Sequence, residues 1–477
     1  MFEELDDAAL VAAIESQTRA EAAAGAARRA SIAELAKRRG ADSDDDERQR
    51  WACDLWAFTA AEVSAAMGVS ARAASGEMRI GLALRDHLPA VAALYAEGAF
   101  SSKIASTITW RTRFVVDDDV WRRLDEAIAS RVTGWGSLSV SKLEKAIDGW
   151  VDRFDPDAVI RTEVAARDRD ISIGWSDDPT VTTSVYGRLM ATDAELLRRR
   201  LAQMSAGVCD NDPRTVKQRR ADALGALAAG AEHLACLCGA DDCPVAQRDA
   251  GAEAVHVYVI ADAVAVAAEP DPRLHGDKPT PAPAPRNDGM ALLMGGSPIP
   301  TSLLTEMIRR GAKVVPIRPP DPAPEPHYRP STALDRFVRV RDLTCRFPGC
   351  DRPAMFADVD HTVAYPDGPT HASDLKCLCR EHHLLKTFWS GPGGWADQQL
   401  PDGTVVWTSP TGRSYRTSPG SRFWFPGWST TTAGLRPPAR KRRPAAGGAT
   451  MPKRRRTRAA VRRDRIRAQR NRPPPTC

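Results

Sequence analysis

The chain has 477 residues, of which 43% are hydrophobic and 27% charged, and no apolar run approaches the length of a membrane span. Its acidic first residues, MFEELDDAAL, lack the basic-then-apolar order of a secretory signal, and its ten cysteines stand in metal-like spacings, so we expect a reducing, cytoplasmic compartment. The formal net charge of +6 is uneven, since residues from Arg436 onward carry sixteen Lys and Arg against one acid and leave about −9 on the rest.

Residues 1–155 are predicted to be almost entirely helical. Within them, Thr59 to Leu84 has an apolar helical face, a Gly68 that ends the first helix and a Ser70 that can cap the next. This pattern resembles a helix-turn-helix whose second helix, carrying Arg72 and Arg79, would enter a DNA groove. An ordinary helical hairpin inside a bundle fits the same pattern, and the sequence leaves both interpretations open.

Residues 156–317 are predicted to form a mixed α/β section with a Pro-rich loop. Short β-branched runs alternate there with helical segments. A candidate second zinc site consists of His233, Cys236, Cys238 and Cys243, although a C-x-C pair is less typical of zinc sites than C-x₂₋₄-C. The alternative is a set of thiols without metal.

The most informative stretch lies between residues 345 and 386. A Cys pair around a Pro-Gly turn is followed about thirty residues later by a Cys/His pair, which is a tetrahedral zinc framework. The four ligands are Cys345, Cys350, Cys379 and His382. A strand before Asp360, a return strand over Leu375 to Leu378 and a helix from Arg380 are predicted around them.

The zinc framework leaves Asp360, His361 and His383 without a structural role. A carboxylate and an imidazole can hold a divalent ion, and a second imidazole can take a proton from water. The stretch resembles the zinc-containing form of the HNH nuclease motif, a ββα-metal module. The resemblance covers residues 331–416 and extends to the helical half, similar to actinobacterial HNH proteins with a long N-terminal domain of unknown function.

The resemblance implies a role for each of these residues. Asp360 and His383 would bind a catalytic Mg²⁺ or Mn²⁺, and His361 would be the general base. Asp374 stands where the family has Asn, and an ionised carboxylate cannot donate the hydrogen bond that an amide makes. Its charge is expected to favour protonated His361 and so to slow the nuclease near neutral pH. Lys386, one helical turn further, either contacts phosphate or is solvated.

Residues 430–477 are predicted to be a disordered basic tail, because they lack apolar periodicity. Its cations would release counterions from DNA and give nonspecific binding. A solvated tail without function is the alternative. The candidate nucleic-acid-binding residues, besides Lys386, are Arg440, Lys441, Arg442, Arg443, Lys453, Arg454, Arg455 and Arg456.

The sequence thus predicts an α+β protein with a mainly helical N-terminal region, a small mixed middle section, a C-terminal zinc module and a basic tail. Its expected function is metal-dependent hydrolysis of DNA phosphodiester bonds, with DNA as partner and a nucleoid-associated location. The alternative is a catalytically weak DNA-binding protein that keeps the zinc module as a scaffold. The sequence does not indicate the oligomeric state.

Overall fold

A computed structural model describes residues 6–43, 47–135, 138–158, 170–173, 183–189, 191–240, 242–243, 258–268, 289–294, 298–309, 311–432 and 450–470. It confirms the α+β class with a mainly helical N-terminal region. Across these ranges, no helix combines the length and the apolar character that crossing a membrane requires.

The described residues of the N-terminal region contain seven α-helices: α1 Asp7–Arg38, α2 Leu55–Met67, α3 Ala71–Asp86, α4 Pro89–Ala96, α5 Ser102–Arg111, α6 Asp118–Ala129 and α7 Val140–Phe154. The turn between α2 and α3 follows the sequence prediction, with Gly68 left-handed after α2 and the Ser70 hydroxyl accepting from the Ala73 amide. Helix α3 buries an apolar face against α1 and α2 and leaves Arg72 and Arg79 exposed.

The middle section contains short elements: β1 Asp170–Ile173, β2 Val185–Arg188, α8 Ala191–Ala206, α9 Val216–Ala228, β3 Val259–Ala261, α10 Ala263–Val266, β4 Ala291–Leu293, β5 Pro298–Ile299 and α11 Thr301–Arg309. Strands β1 and β2 pair as an antiparallel hairpin, and β4 lies between β3 and β5 in a second antiparallel sheet. Helices α8 and α9 pack on each other through their own small apolar cluster.

The C-terminal module consists of α12 Thr332–Asp342, β6 Asp358–His361, β7 Leu375–Leu378, α13 Arg380–Phe388, β8 Ala396–Gln399, β9 Val405–Thr408, β10 Ser414–Thr417 and α14 Ser421–Trp424. Strands β6 and β7 form the expected hairpin, in which Asp360 pairs with Lys376 and His361 with Leu375. Helix α13 follows β7 directly and packs on both strands, so a ββα unit is present. A three-stranded antiparallel sheet, in the order β10-β9-β8, lies beside it.

The module shares a hydrophobic core with the N-terminal region. Trp389, just after α13, stacks on Phe58 of α2 with ring centroids 4.4 Å apart. Glu62 of α2 accepts a hydrogen bond from the Thr411 hydroxyl, in the turn between β9 and β10. Helix α2 therefore contacts α3 on one side and the C-terminal module on another.

The tail differs from the sequence prediction over residues 450–470. It contains helix α15, Arg458–Arg470, and packs on the N-terminal region. Arg454 and Arg458 both bond the buried carboxylate of Asp54, and Arg470 bonds Asp155 near the other end of the helix. A segment with few apolar residues is ordered here because buried acids elsewhere in the chain bind its arginines.

Candidate active site and metal centres

The four residues of the sequence-predicted zinc framework converge. Cys345 follows α12, Cys350 lies in the next turn, Cys379 caps α13, and His382 is in its first turn. The His382 Nδ1 atom lies 3.5 Å from the Cys345 sulfur and 3.3 Å from that of Cys379, which is 4.0 Å from the sulfur of Cys350. All four donor atoms lie within 4.8 Å of one another. The cluster is compatible with a metal ion such as zinc, because tetrahedral S and N ligands have such separations.

A second polar constellation lies on β6 and α13. The Nε2 atom of His383 lies 3.4 Å from Asp360 Oδ1, and the Nδ1 atom of the same ring lies 2.7 Å from Asp358 Oδ2. When Nδ1–H donates to Asp358, Nε2 carries a lone pair directed towards Asp360. Two ligands of one octahedral Mg²⁺ are about 3 Å apart at metal–ligand distances near 2.1 Å. The pair fits a divalent ion, and Asp358 is the orienting carboxylate often found behind a metal-binding histidine.

Two lysines hold the other oxygen of Asp360. Lys376 of β7 is fully buried and lies 3.0 Å from Asp360 Oδ2 and 2.7 Å from Asp397 Oδ2. Lys386 of α13 lies 2.6 Å from the same Asp360 oxygen and also donates to the His361 carbonyl. Burial disfavours charge on Asp360, but the two ammonium groups outweigh it and lower its pKa to about 2. Asp360 is therefore ionised at neutral pH, with Oδ1 directed to His383 and Oδ2 shared by the lysines.

His361 is buried at the end of β6, and its ring is held on two sides. Its Nε2 atom lies 3.0 Å from the Thr370 hydroxyl, which donates its proton to the His327 carbonyl. The Thr370 oxygen must then accept from His361 Nε2–H, which leaves Nδ1 as the basic nitrogen. Tyr328 stacks on the imidazole with centroids 5.4 Å apart. Burial lowers the pKa of His361, and Lys386 and Lys376 add to the effect while Asp360 opposes it.

Asp374 lies between the loop and the start of β7. Its carbonyl accepts from the Thr362 amide and its Oδ1 from the Val363 amide, while its buried Oδ2 has no partner among the described residues. Burial raises the pKa of Asp374 to about 7. The expectation that its charge favours protonated His361 is corrected, because burial acts on both groups: Asp374 is partly neutral at pH 7 and the pKa of His361 is lowered.

The structure thus places His383 beside Asp360, while the ring of His361, the next residue of β6, contacts Thr370 and Tyr328. Sequence reasoning missed Asp358, Lys376, Asp397 and Thr370. Asp358 could have been identified from the sequence, because it stands two residues before Asp360 and alternate residues of a strand share a face. The others depend on strand pairing and on the course of the 362–374 loop.

Some of the candidate nucleic-acid-binding residues are paired within the chain, and others are exposed. Lys386 is neither solvated nor free, since it bonds Asp360. In the tail, Lys453 pairs with Glu47, Arg454 with Asp54 and Arg456 with Asp464, while Arg455 is exposed. Residues 440–443 lie outside the described residues. Several tail cations that were predicted to bind DNA therefore form ion pairs within this chain instead.

The cysteines of the middle section also converge, with one change of ligand. The four sulfur atoms within 4.8 Å of one another belong to Cys209, Cys236, Cys238 and Cys243. His233 is exposed and outside the cluster, so its place in the predicted set is wrong. Cys209 stands 27 residues before Cys236, on the far side of α9, and only the packing of α8 on α9 brings it there.

Comparison with known proteins places most of the chain in a family. Residues 16–342 match the model described as Domain of unknown function (DUF222). Over 488 aligned residues, the chain is 54% identical to the uncharacterized protein Rv3776 of Mycobacterium tuberculosis, covering 99% of this chain and 92% of that protein. It is 52% identical to the uncharacterized protein Rv2100 of the same organism, covering 98% and 88%. No solved structure matches. With more than half of its length matched and these relatives aligned almost end to end, the chain belongs to the DUF222 family.

Proposed function

We propose that the protein is a metal-dependent DNA endonuclease whose active site is of the HNH type. The observation that carries the proposal is the pairing of Asp360 Oδ1 with His383 Nε2 at 3.4 Å, behind which Asp358 orients the histidine. These groups lie on a β-hairpin and the helix that follows it, and a Cys₃His cluster holds the same helix from its N-terminal end. The motif and the ββα context together support the nuclease interpretation.

Each residue has a role that follows from its surroundings. Asp360 and His383 would hold one Mg²⁺ or Mn²⁺, which would neutralise the scissile phosphate and stabilise the leaving oxygen. His361 is kept neutral by burial, and Thr370 fixes the tautomer in which Nδ1 can accept a proton from water. Lys376 and Lys386 fix the Asp360 carboxylate and lower its pKa, so that the ligand stays ionised.

The Cys₃His cluster is proposed to hold a structural Zn²⁺. All four positions are protein ligands, which is typical of a structural rather than a catalytic site. The ion would fix α13 against the turn after α12 and so set the position of His383. The DUF222 match supports the nuclease proposal, because this family is known in association with HNH nucleases.

DNA is the proposed partner, and the tail helix supplies part of the contact surface. Arg462 and Arg465 are exposed on α15, and neither pairs with a carboxylate of the described residues. Arg79 on α3 is exposed as a whole, but its guanidinium carbon lies 5.4 Å from the centre of the Trp56 ring. This partial burial lowers the pKa of Arg79, and Arg458, Arg462 and Arg465 add to the effect. Like charges are thus gathered where α15 passes α3, and a phosphate backbone would relieve their repulsion. A nucleoid-associated location would follow from such binding.

One observation favours the rival function, a DNA-binding protein with weak catalysis. Two ammonium groups beside Asp360 repel a divalent cation, and Lys386 Nζ lies 2.6 Å from that carboxylate. The module would then be a scaffold stabilised by zinc. The two functions share the DNA surface and differ in whether the protein cleaves DNA.

Cleavage of supercoiled plasmid with Mg²⁺ or Mn²⁺ separates them. We expect nicking by the wild type, and its loss in His361→Ala and His383→Ala. His327→Ala is the matched control, because His327 is exposed and offers only its carbonyl to Thr370. Absence of cleavage by purified wild-type protein over a range of Mn²⁺ concentrations would overturn the nuclease proposal and leave the binding protein.

Duplex binding as a function of salt tests the surface separately. Arg462→Ala combined with Arg465→Ala should reduce the slope of log K against log salt by about 2, because each lost phosphate contact removes about 0.9. Arg198→Ala with Arg199→Ala is the control, since these exposed arginines pair with Glu195. Deleting residues 436–477 should weaken binding further, and an unchanged slope in both variants would place the contact elsewhere.

A further inference from the structure

The cysteine cluster of the middle section has the geometry of one tetrahedral ion. The Cys209 and Cys236 sulfurs are 3.4 Å apart, and all four sulfurs lie within 4.8 Å of one another. Four thiolates at about 2.3 Å from one Zn²⁺ are separated by about 3.8 Å. A disulfide requires about 2.05 Å between its sulfurs, and none of these four cysteines is in a disulfide. The sulfurs therefore form one group of four rather than two bonded pairs.

A buried ion pair holds the two halves of this cluster together. Asp212, just after Cys209, is fully buried and lies 2.8 Å from the Arg214 guanidinium. Its carboxylate also accepts from the Leu237 amide at 3.0 Å, and Arg214 donates to the Ala235 carbonyl at 2.6 Å. The loop between α8 and α9 is thereby bonded to the segment that carries Cys236 and Cys238. The thiols are brought together by polar contacts of their neighbours, without bonds between the sulfurs.

A tight turn of the backbone joins Cys238 to Cys243. Gly239 has a φ of +72°, a left-handed conformation that favours glycine and turns the chain back after Cys238. The Cys243 amide donates to the Ala240 carbonyl at 3.2 Å and closes the turn. The turn therefore brings the last cysteine of the set back towards the others.

The α8–α9 unit has a small hydrophobic core, which gives a physical reason for a stabilising metal ion. Among the described residues, the hydrophobic cluster between α8 and α9 has four buried members: Met204, Val208, Ala223 and Leu234. Units with so little buried apolar surface are commonly stabilised by a metal or by disulfides.

We propose that Cys209, Cys236, Cys238 and Cys243 bind one structural Zn²⁺, which closes the α8–α9 unit. The four protein thiolates complete a tetrahedral shell and leave no position open for water or substrate. The proposal is independent of DNA cleavage, because none of these four cysteines belongs to the candidate active site.

The test is the zinc content of the full-length protein after dialysis without chelator, measured by mass spectrometry of the metal. We expect two zinc ions per chain in the wild type, one in Cys209→Ser, one in Cys345→Ser and two in His233→Ala. Cys53→Ser is a matched control, because Cys53 is buried outside both clusters. A wild-type content of one, lost entirely in Cys345→Ser, would overturn the proposal.

A second measurement does not depend on the folding of Cys209→Ser. X-ray absorption at the zinc edge of the Cys345→Ser protein should give four sulfur ligands at about 2.3 Å. Histidine nitrogen in that shell, or disulfide-linked peptides containing Cys209 or Cys243 from wild type purified under reducing conditions, would contradict a four-thiolate site.

Discussion

The indole Nε1 of Trp389 donates a hydrogen bond to the carbonyl of Cys53 at 2.8 Å, and so joins residues 336 positions apart in the chain. Trp389 ends the helix that carries His383, and Cys53 precedes α2. The candidate active-site helix is thereby attached to the N-terminal region, whose α2 also packs on α3. Because of these contacts, we expect the two regions to unfold together.

Replacing this tryptophan should destabilise the whole protein. Trp389→Ala removes the stacking on Phe58 and the hydrogen bond, and we expect a loss of about 3–5 kcal/mol in the free energy of unfolding. Trp389→Phe keeps a ring but leaves the Cys53 carbonyl unpaired, at a cost of about 1–2 kcal/mol. Urea unfolding monitored by circular dichroism gives both values. Phe423→Ala is the control, as Phe423 is 79% exposed; an equal effect of this substitution and Trp389→Ala would contradict the proposed attachment.

Asp358 should control the metal affinity of His383. Removing the carboxylate that accepts from His383 Nδ1 frees the ring to rotate, and loss of such a partner costs about 10–100-fold in metal affinity. We expect Asp358→Ala to weaken Mn²⁺ binding in this range and Asp358→Asn to weaken it less, since the amide oxygen still accepts. Titration calorimetry with Mn²⁺ measures this without reference to cleavage. Asp351→Asn, an exposed carboxylate in the preceding loop, should have no effect. Equal affinities in all four proteins would exclude an orienting role for Asp358.

Asp374 should make stability depend on pH. Its pKa is raised from 3.8 to about 7 in the folded protein, so the folded state holds this proton more tightly than the unfolded state. The resulting stability is fully present below pH 3.8 and is lost as pH rises through 7. The difference corresponds to about 4 kcal/mol at most, since each tenfold change in an equilibrium constant is about 1.4 kcal/mol. Asp374→Asn should therefore gain stability over the wild type between pH 4 and pH 8.

Denaturant unfolding at intervals across that range measures the effect. Asp367→Asn, at an exposed position of the same loop, is the control. We also expect Asp374→Asn to cleave plasmid faster than the wild type, because an amide at this position can donate a hydrogen bond that the carboxylate cannot. A constant stability difference between the two proteins from pH 4 to pH 8 would show that Asp374 does not titrate with a raised pKa.

The docked tail should contribute to stability as well as to binding. Deleting residues 450–477 removes the buried Met451, the packing of Ile466 and both arginines on Asp54, and leaves the Asp54 carboxylate without a cationic partner. We expect a loss of about 2–4 kcal/mol from the apolar contacts alone. Calorimetric Tm values of this variant and of one lacking only residues 471–477 make the comparison. The second readout is the resistance of residues 450–470 to limited proteolysis in the wild type. Identical Tm values of the two variants would contradict docking of the tail and support the original prediction that it is disordered.

The sequence by itself determined the local features. The α2–α3 turn, the β6–β7 hairpin, the start of α13 and the Cys₃His ligand set all follow from capping residues, strand patterns and ligand spacing. These signals act over a few residues, or over one hairpin and its helix, so the sequence displays them directly. The proximity of Asp360 and His383 was readable for the same reason, since both lie on that hairpin and its helix.

Only the tertiary structure decided the contacts between distant segments. Cys209 replaces His233 because α8 packs on α9, and Lys376 reaches Asp360 because strand register places it opposite. The tail helix is ordered because Asp54 and Asp155, some 300 to 400 residues earlier in the chain, are buried where its arginines dock. Burial also raises the pKa of Asp374 and lowers that of His361. Pairings of this kind depend on which surfaces meet after folding, and the residue types at each position do not specify them.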